Sequence, residues 1–323
     1  MMAPPKFWYD PAQKFWPAVL APFAAITAQL TARRVAKPGF AASVPVICCG
    51  NASVGGAGKT TLALYLLHYF REQGFAPASL TRGHGGQTRH APHRVDPARD
   101  SAAEIGDEPL LLAALAPCYV CPDRAAGARA AIKDGANILV LDDGLQNPSL
   151  HKDFSFLVID GASGFGNGCL LPAGPLREPI EAAAARSQAA LMIGDDVTCA
   201  QSQLPAALPV LRADLIPEAS ISDFSDQKIL AFAGIGRPEK FFSMLRTSGL
   251  KLCATRSFPD HHTFSARDLA DLQTTAAVHN AILLCTPKDF VRLPKNFPAR
   301  QIGVALRFRD PAALAKLLAF APP

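Results

Sequence analysis

A glycine-rich turn set between an apolar run and a helical pattern restricts this chain more than any other stretch. Val46-Ile47-Cys48-Cys49 reads as a buried strand, Gly50 to Gly58 as a loop, and Thr61 to Phe70 as a helix entered through Lys59-Thr60. Strand, glycine loop, Gly-Lys-Thr and helix, in that order, are the context of a phosphate-binding loop. Glycines let successive backbone N–H groups turn inward on a phosphate, and the helix N-terminus adds a favourable dipole end. Nucleotide contacts are expected from Ser53, Val54, Gly55, Gly56, Ala57, Gly58, Lys59, Thr60 and Thr61. Lys59 would face the terminal phosphates of ATP, and the Thr60 hydroxyl would be a magnesium ligand. The place where such loops usually begin with glycine holds Ser53, so a residue with a Cβ must make the first turn. The plain alternative is a glycine-rich turn beside an unrelated lysine, and a second motif weighs against it.

That motif is Asp142-Asp143-Gly144-Leu145-Gln146, which ends the apolar run Ile138-Leu139-Val140-Leu141. Carboxylates at the end of a buried strand are what a magnesium–nucleotide site needs beside a phosphate loop. Continuous apolar runs at Tyr119-Val120, 138–141 and 156–159, alternating with helical patterns, predict a mostly parallel sheet covered by helices on both faces. Leu171 to Pro179 forms a long loop in which three prolines would hold Arg177 and Glu178 rigidly. A polar linker near Ile216 precedes a fresh strand, Lys228 to Ala233. The expected division is therefore 1–40 as an N-terminal helical segment, 41–220 as a P-loop nucleotide-binding core and 221–323 as a smaller α/β domain.

The net charge of +5, without a long Lys/Arg block, gives no footprint for nucleic acid. Eight scattered cysteines fit a reducing cytoplasm. Cys118-Tyr119-Val120-Cys121 lacks a partner pair and reads as core strand, not metal or redox site. Phe15 to Ala32 carries no charge, follows Phe7-Trp8-Tyr9 and precedes Arg33-Arg34. Pro17, Pro22 and three polar residues dilute it, and Phe15, Val19, Phe23, Ile26 and Leu30 share one stripe. It reads as an amphipathic helix lying in an anionic membrane surface, the alternatives being a helix packed on the protein, a signal peptide or a span. Asp260-His261-His262 leaves metal ligation, acid–base work and helix capping equally open. Thr286-Pro287-Lys288-Asp289 has its lysine one place too late for guanine recognition.

Together, Gly50-Asn51 with Gly55 to Thr60, Thr81 to Gly86, Gly106-Asp107-Glu108-Pro109, Asp123-Arg124, Asp142 to Gln146, Leu171 to Pro179, Phe258 to His262 and Thr286 to Asp289 resemble successive motifs of the tetraacyldisaccharide 4′-kinases. The likeness covers nearly the whole chain, and the proline-rich Arg-Glu loop and the Asp-His-His segment are its specific parts. It implies ATP-dependent phosphorylation of the 4′-hydroxyl of a tetraacylated glucosamine disaccharide 1-phosphate, at the cytoplasmic face of the inner membrane, by a monomer. It implies Asp107 as catalytic base paired with His261, metal roles for Thr60, Asp142, Asp143 and Glu178, and substrate or phosphate contacts from Arg82, Arg124, Gln146 and Arg177. His84, Leu145, Asn147 and Pro287 depart from the residues common in that family. Two rivals are a membrane-associated switch ATPase, which needs no acceptor base, and a soluble kinase for a small metabolite.

Overall fold

The computed structural model describes residues 5–10, 12–87 and 91–320. The strands are β1 (Val46–Gly50), β2 (Pro77–Thr81), β3 (His93–Arg94), β4 (Cys118–Val120), β5 (Ile138–Asp142), β6 (Phe154–Asp160), β7 (Ala189–Ile193), β8 (Val210–Pro217), β9 (Lys228–Ala233), β10 (Lys251–Ser257), β11 (Ile282–Cys285), β12 (Ala299–Gln301) and β13 (Val304–Phe308). Among the described residues nine of them form one sheet in the order β13-β8-β7-β6-β1-β5-β2-β4-β3, parallel except for its two edge strands, β13 and β3. The other four form a second sheet, β10-β9-β11-β12, parallel throughout.

Burial explains this layering. β1, β5 and β7 are buried at every position, so each needs helices on both faces. Two apolar clusters flank the large sheet, one around Leu62, Leu66 and Phe70 of the helix Lys59–Glu72 and one around Leu141, Leu157 and Leu176. The smaller sheet carries its own pair around Phe242 and Leu272. Cys118 lies in buried β4, and the cysteines are free thiols among the described residues.

The tail of the chain departs from the expected division. β13 leaves the smaller sheet and pairs antiparallel with β8, while Leu314 and Leu318 of the helix Pro311–Leu318 join the large sheet's core. The reason is the alternating burial of Leu306 and Phe308, whose partners lie beside β8 and Tyr65. The smaller sheet is thus an insertion between two neighbouring strands. Residues 1–4, 11 and 321–323 of the expected outer segments lie outside the described residues, as do 88–90.

The N-terminal helix spans Phe15–Val35 and is long and apolar enough to cross a membrane by length and composition. Its polarity is the reverse of a soluble surface helix. Phe15, Trp16, Val19, Phe23, Ile26 and Leu30 point outward and are each about half exposed or more, whereas Ala24 and Thr31 are buried on the inward side. The turn before it is tied down: Trp8 Nε1 donates to Pro172 O at 3.1 Å, and Asn167 N donates to Trp8 O at 2.7 Å.

Candidate active site

The phosphate loop runs from β1 into the helix Lys59–Glu72 through Gly58, whose φ of +93° suits glycine and whose Cβ would lie 2.5 Å from Ile193 Cδ1. Ser53 needs no such freedom. It sits in an antiparallel bridge with Leu176. Val54 N donates to Pro175 O at 2.8 Å, and Arg177 N donates to Ala52 O at 2.7 Å. The first half of the loop is therefore an extended strap laced to the proline-rich loop, where a Cβ costs nothing.

Lys59 Nζ donates to Gly55 O at 3.4 Å and lies 3.8 Å from Asp143 Oδ2. Its burial holds its pKa below the usual lysine range, against the opposing pull of Asp143. Asp142 ends β5, and its Oδ2 accepts the Thr60 hydroxyl at 2.9 Å. Burial, reinforced by the charge of Asp143, pushes its pKa up to about 6. Asp142 Oδ1 is buried without a partner. An orphaned carboxylate oxygen beside a threonine hydroxyl is a donor set that suits magnesium, so these residues fit the ion that the phosphate loop implies.

Asp143 leaves the strand with φ +55° and meets Arg177 in a fork, Nη1 to Oδ1 at 2.7 Å and Nη2 to Oδ2 at 3.1 Å. Burial raises its pKa, but Lys59 and Arg177 outweigh that and leave it below the usual carboxylate range. Gln146 knits the surrounding loops, donating to Asn51 O at 2.8 Å and Glu178 Oε1 at 2.7 Å and accepting from Arg177 at 3.2 Å. Glu178 is buried, its Oε2 accepting from Arg186 and its Oε1 from Gln146. Arg124 is buried too. It donates to Cys121 O and has an unpartnered Nε, so its charge acts on Asp142 and Asp143 from within the protein. Arg82 is exposed just past β2, at the same strand end as Asp142.

A second group faces this one. Gly106, with φ +89° and a Cβ that would sit 2.4 Å from His84 O, delivers Asp107 as the first residue of the helix Asp107–Ala113. Asp107 is 4% exposed, and its Oδ2 meets His261 Nδ1 at 2.8 Å although the two residues belong to different sheets. Burial favours protonation of Asp107, but hydrogen bonds from Arg292 and His261 hold its pKa at about 2. The same bond to Asp107 raises the pKa of His261 against the effect of its own burial. The two histidines then part company. His262 Nε2 lies 3.1 Å from Asp268 Oδ2 and stacks on Phe258, within the capping box of the helix Ala266–His279.

Three residues of this group had no assigned role in the sequence reading. Arg292 Nε donates to Asp107 Oδ1 at 2.8 Å and its Nη2 to Oδ2, while Lys288 pairs with Glu108. Their spacing of four places on one helical turn was the available signal. The Thr-Pro-Lys-Asp stretch is itself a capped turn, with Asp289 N donating to Thr286 Oγ1 at 3.2 Å. The charges of Lys288 and Glu108 are felt at Lys59 and Asp142, so the two groups lie within electrostatic reach of each other.

A phosphate loop and a strand-end aspartate pair at the carboxyl ends of central parallel strands, with a buried carboxylate–imidazole contact within their electrostatic reach, define a P-loop phosphotransferase. The comparisons with known proteins agree and specify the family. A family model described as tetraacyldisaccharide-1-P 4′-kinase matches residues 16–321. The tetraacyldisaccharide 4′-kinase of Gluconacetobacter diazotrophicus is 53% identical over 98% of this chain and 97% of its own length. That of Gluconobacter oxydans is 48% identical over 98% and 97%. The crystal structure of LpxK from Aquifex aeolicus, in complex with ATP, superposes with a TM-score of 0.77 at 25% identity, covering 95% of this chain and 99% of that one. The chain belongs to the tetraacyldisaccharide-1-P 4′-kinase family and is a lipid kinase.

Proposed function

We propose that this protein transfers the γ-phosphoryl group of ATP to the 4′-hydroxyl of a tetraacylated glucosamine disaccharide 1-phosphate, with Asp107 as base and His261 as its partner. The observation that carries this is the 2.8 Å contact between Asp107 and His261, which joins the unit built on the large sheet to the one built on the smaller sheet. A switch ATPase has no use for such a pair.

In the reaction the sugar oxygen bonds to the γ-phosphorus as the bond to the bridging oxygen breaks, ADP leaves, and Asp107 takes the hydroxyl proton. The transition state is loose, so a weak base suffices, provided that it is placed. Lys59 meets the negative charge on the phosphates, and the backbone N–H groups of the loop cradle them. Asp142 Oδ1 and the Thr60 hydroxyl would hold magnesium, which when bound would supply positive charge to the phosphates. Asp143 and Glu178, both held by arginines, orient that end of the site; Arg177 holds the strap and Asp143 together. Arg82, exposed at the same strand end as Asp142, contacts substrate phosphate, whereas Arg124 acts through its field. The outward apolar face of the helix Phe15–Val35, with Arg33 and Arg34 in its last turn, suits attachment to the anionic cytoplasmic face of the inner membrane, where the substrate resides.

The test is transfer of ³²P from γ-labelled ATP to tetraacyldisaccharide 1-phosphate in detergent micelles. Wild type should label the lipid, and Asp107→Ala should lose about 10²–10⁴ in kcat. ATP hydrolysis with no labelled lipid would support the switch ATPase instead.

A further inference from the structure

The acceptor sites on the Asp107 carboxylate are nearly all occupied, and unevenly so. Oδ2 accepts from Arg292 Nη2 and from His261 Nδ1, while Oδ1 accepts Arg292 Nε at 2.8 Å. Each carboxylate oxygen offers two lone pairs, so Oδ2 is filled and Oδ1 has one place left. The guanidinium is itself pinned. Its Nη1 donates to Gly234 O at 3.0 Å and to Asp289 Oδ1 at 3.3 Å. Asp289 is wholly buried and also accepts Gly234 N at 2.9 Å and the Thr286 hydroxyl at 2.6 Å. The plane of Asp107 is thus set by a residue anchored on the smaller sheet.

We propose that Arg292 is a positioning residue for phosphoryl transfer: its fork fixes the Asp107 carboxylate so that Oδ1 turns its remaining lone pair to the acceptor hydroxyl. This rests on Asp107 being the base. A lysine at the same place would supply charge without setting a plane. The charged groups facing Asp107 are Arg292 and His261, with Asp260 3.9 Å behind the imidazole, then Lys288 and Asp289 from the capped turn and Glu108 beside it on its own helix. Of the influences on Asp107, burial is the largest and favours the proton, and the bonds from Arg292 come next and oppose it. Loss of the fork therefore frees the plane and lets burial raise the proton affinity of the base.

The experiment compares kcat, the KM for ATP and the pH profile of kcat/KM for the lipid acceptor in wild type, Arg292→Met, Arg292→Lys and Asp107→Ala. Arg292→Met should lower kcat about tenfold or more and move the acidic limb up by about one pH unit or more, with the KM for ATP within about twofold. Arg292→Lys should leave the limb near its wild-type position yet still lose kcat. A wild-type kcat in Arg292→Lys, or an unmoved limb in a folded Arg292→Met, overturns the proposal. If Arg292→Met does not fold, the kcat of Arg292→Lys decides. Retained transfer by Asp107→Ala would remove the base reading itself. An inactive Asp107→Ala beside wild-type Arg292 variants would leave that reading standing and remove only the positioning role.

Discussion

Two buried carboxylates, Asp142 at the end of β5 and Asp107 at the start of a helix, have opposite tendencies. Asp142 is pushed toward the neutral form by burial, whereas Asp107, also buried, is held charged by its two cationic neighbours. Separate environments of this kind mark separate tasks. The Asp107–His261 pair also links the stability of the closed arrangement to pH. The pKa of His261 is raised from 6.5, so its contribution is complete below that value and fades as pH climbs through the raised one. Asp107 is lowered to about 2, so its contribution is complete above the model-peptide value of 3.8 and fails only toward that acid limit. Comparing melting temperatures of wild type and His261→Phe between pH 6 and 9 should show a gap that narrows as pH rises. A gap that is constant or widens would mean that the imidazole carries no charge in the folded protein. Ser53 shows how a departure from a motif is accommodated: the residue is extended and paired, so no glycine is required.

At the scale of elements, the helix Phe15–Val35 is the most instructive. Six large apolar side chains face outward, and burying each fully is worth roughly 1.5–3 kcal/mol. Replacing Phe23 and Leu30 by Glu should therefore release the protein from anionic vesicles in a flotation assay and raise the apparent KM for lipid, with the KM for ATP unchanged. Undiminished flotation would remove this helix from the lipid surface. The parallel strands were legible because burial on both faces leaves an unbroken apolar run, as at Ile138 to Leu141. The nucleotide loop and the Asp142–Asp143 pair were legible because their chemistry is local in sequence. Arg292 was not, because its partner is distant in the chain and only the docking of the two sheets brings them together. β13 escaped for a related reason: a five-residue strand of mixed pattern gains its identity from β8.

Across the whole molecule, the seam between the sheets is built largely of charges. Arg237 and Lys240 reach Asp160 at 3.2 and 3.6 Å on one side, and Lys288, Arg292 and His261 reach Glu108 and Asp107 on the other. The apolar clusters remain separate apart from Val291, which packs from the smaller sheet's side against the large core. Polar seams of this kind permit relative movement, and the contact between Asp107 and His261 exists only while the seam is closed. The return of the chain has a further consequence. Pro217 and Val304 stand opposite each other in the β8–β13 pair, so everything between them enters and leaves at a single point on the sheet's edge. In genetic terms residues 218–303 are a cassette. Replacing them with a two-residue Asn-Gly turn would convert that pair into a plain hairpin, removing from the cores of the large sheet only the contact of Val291. The shortened protein should melt cooperatively and bind ATP by titration calorimetry while transferring nothing. Loss of cooperative melting or of ATP binding would mean that the smaller sheet is needed for the folding of its host as well as for the chemistry.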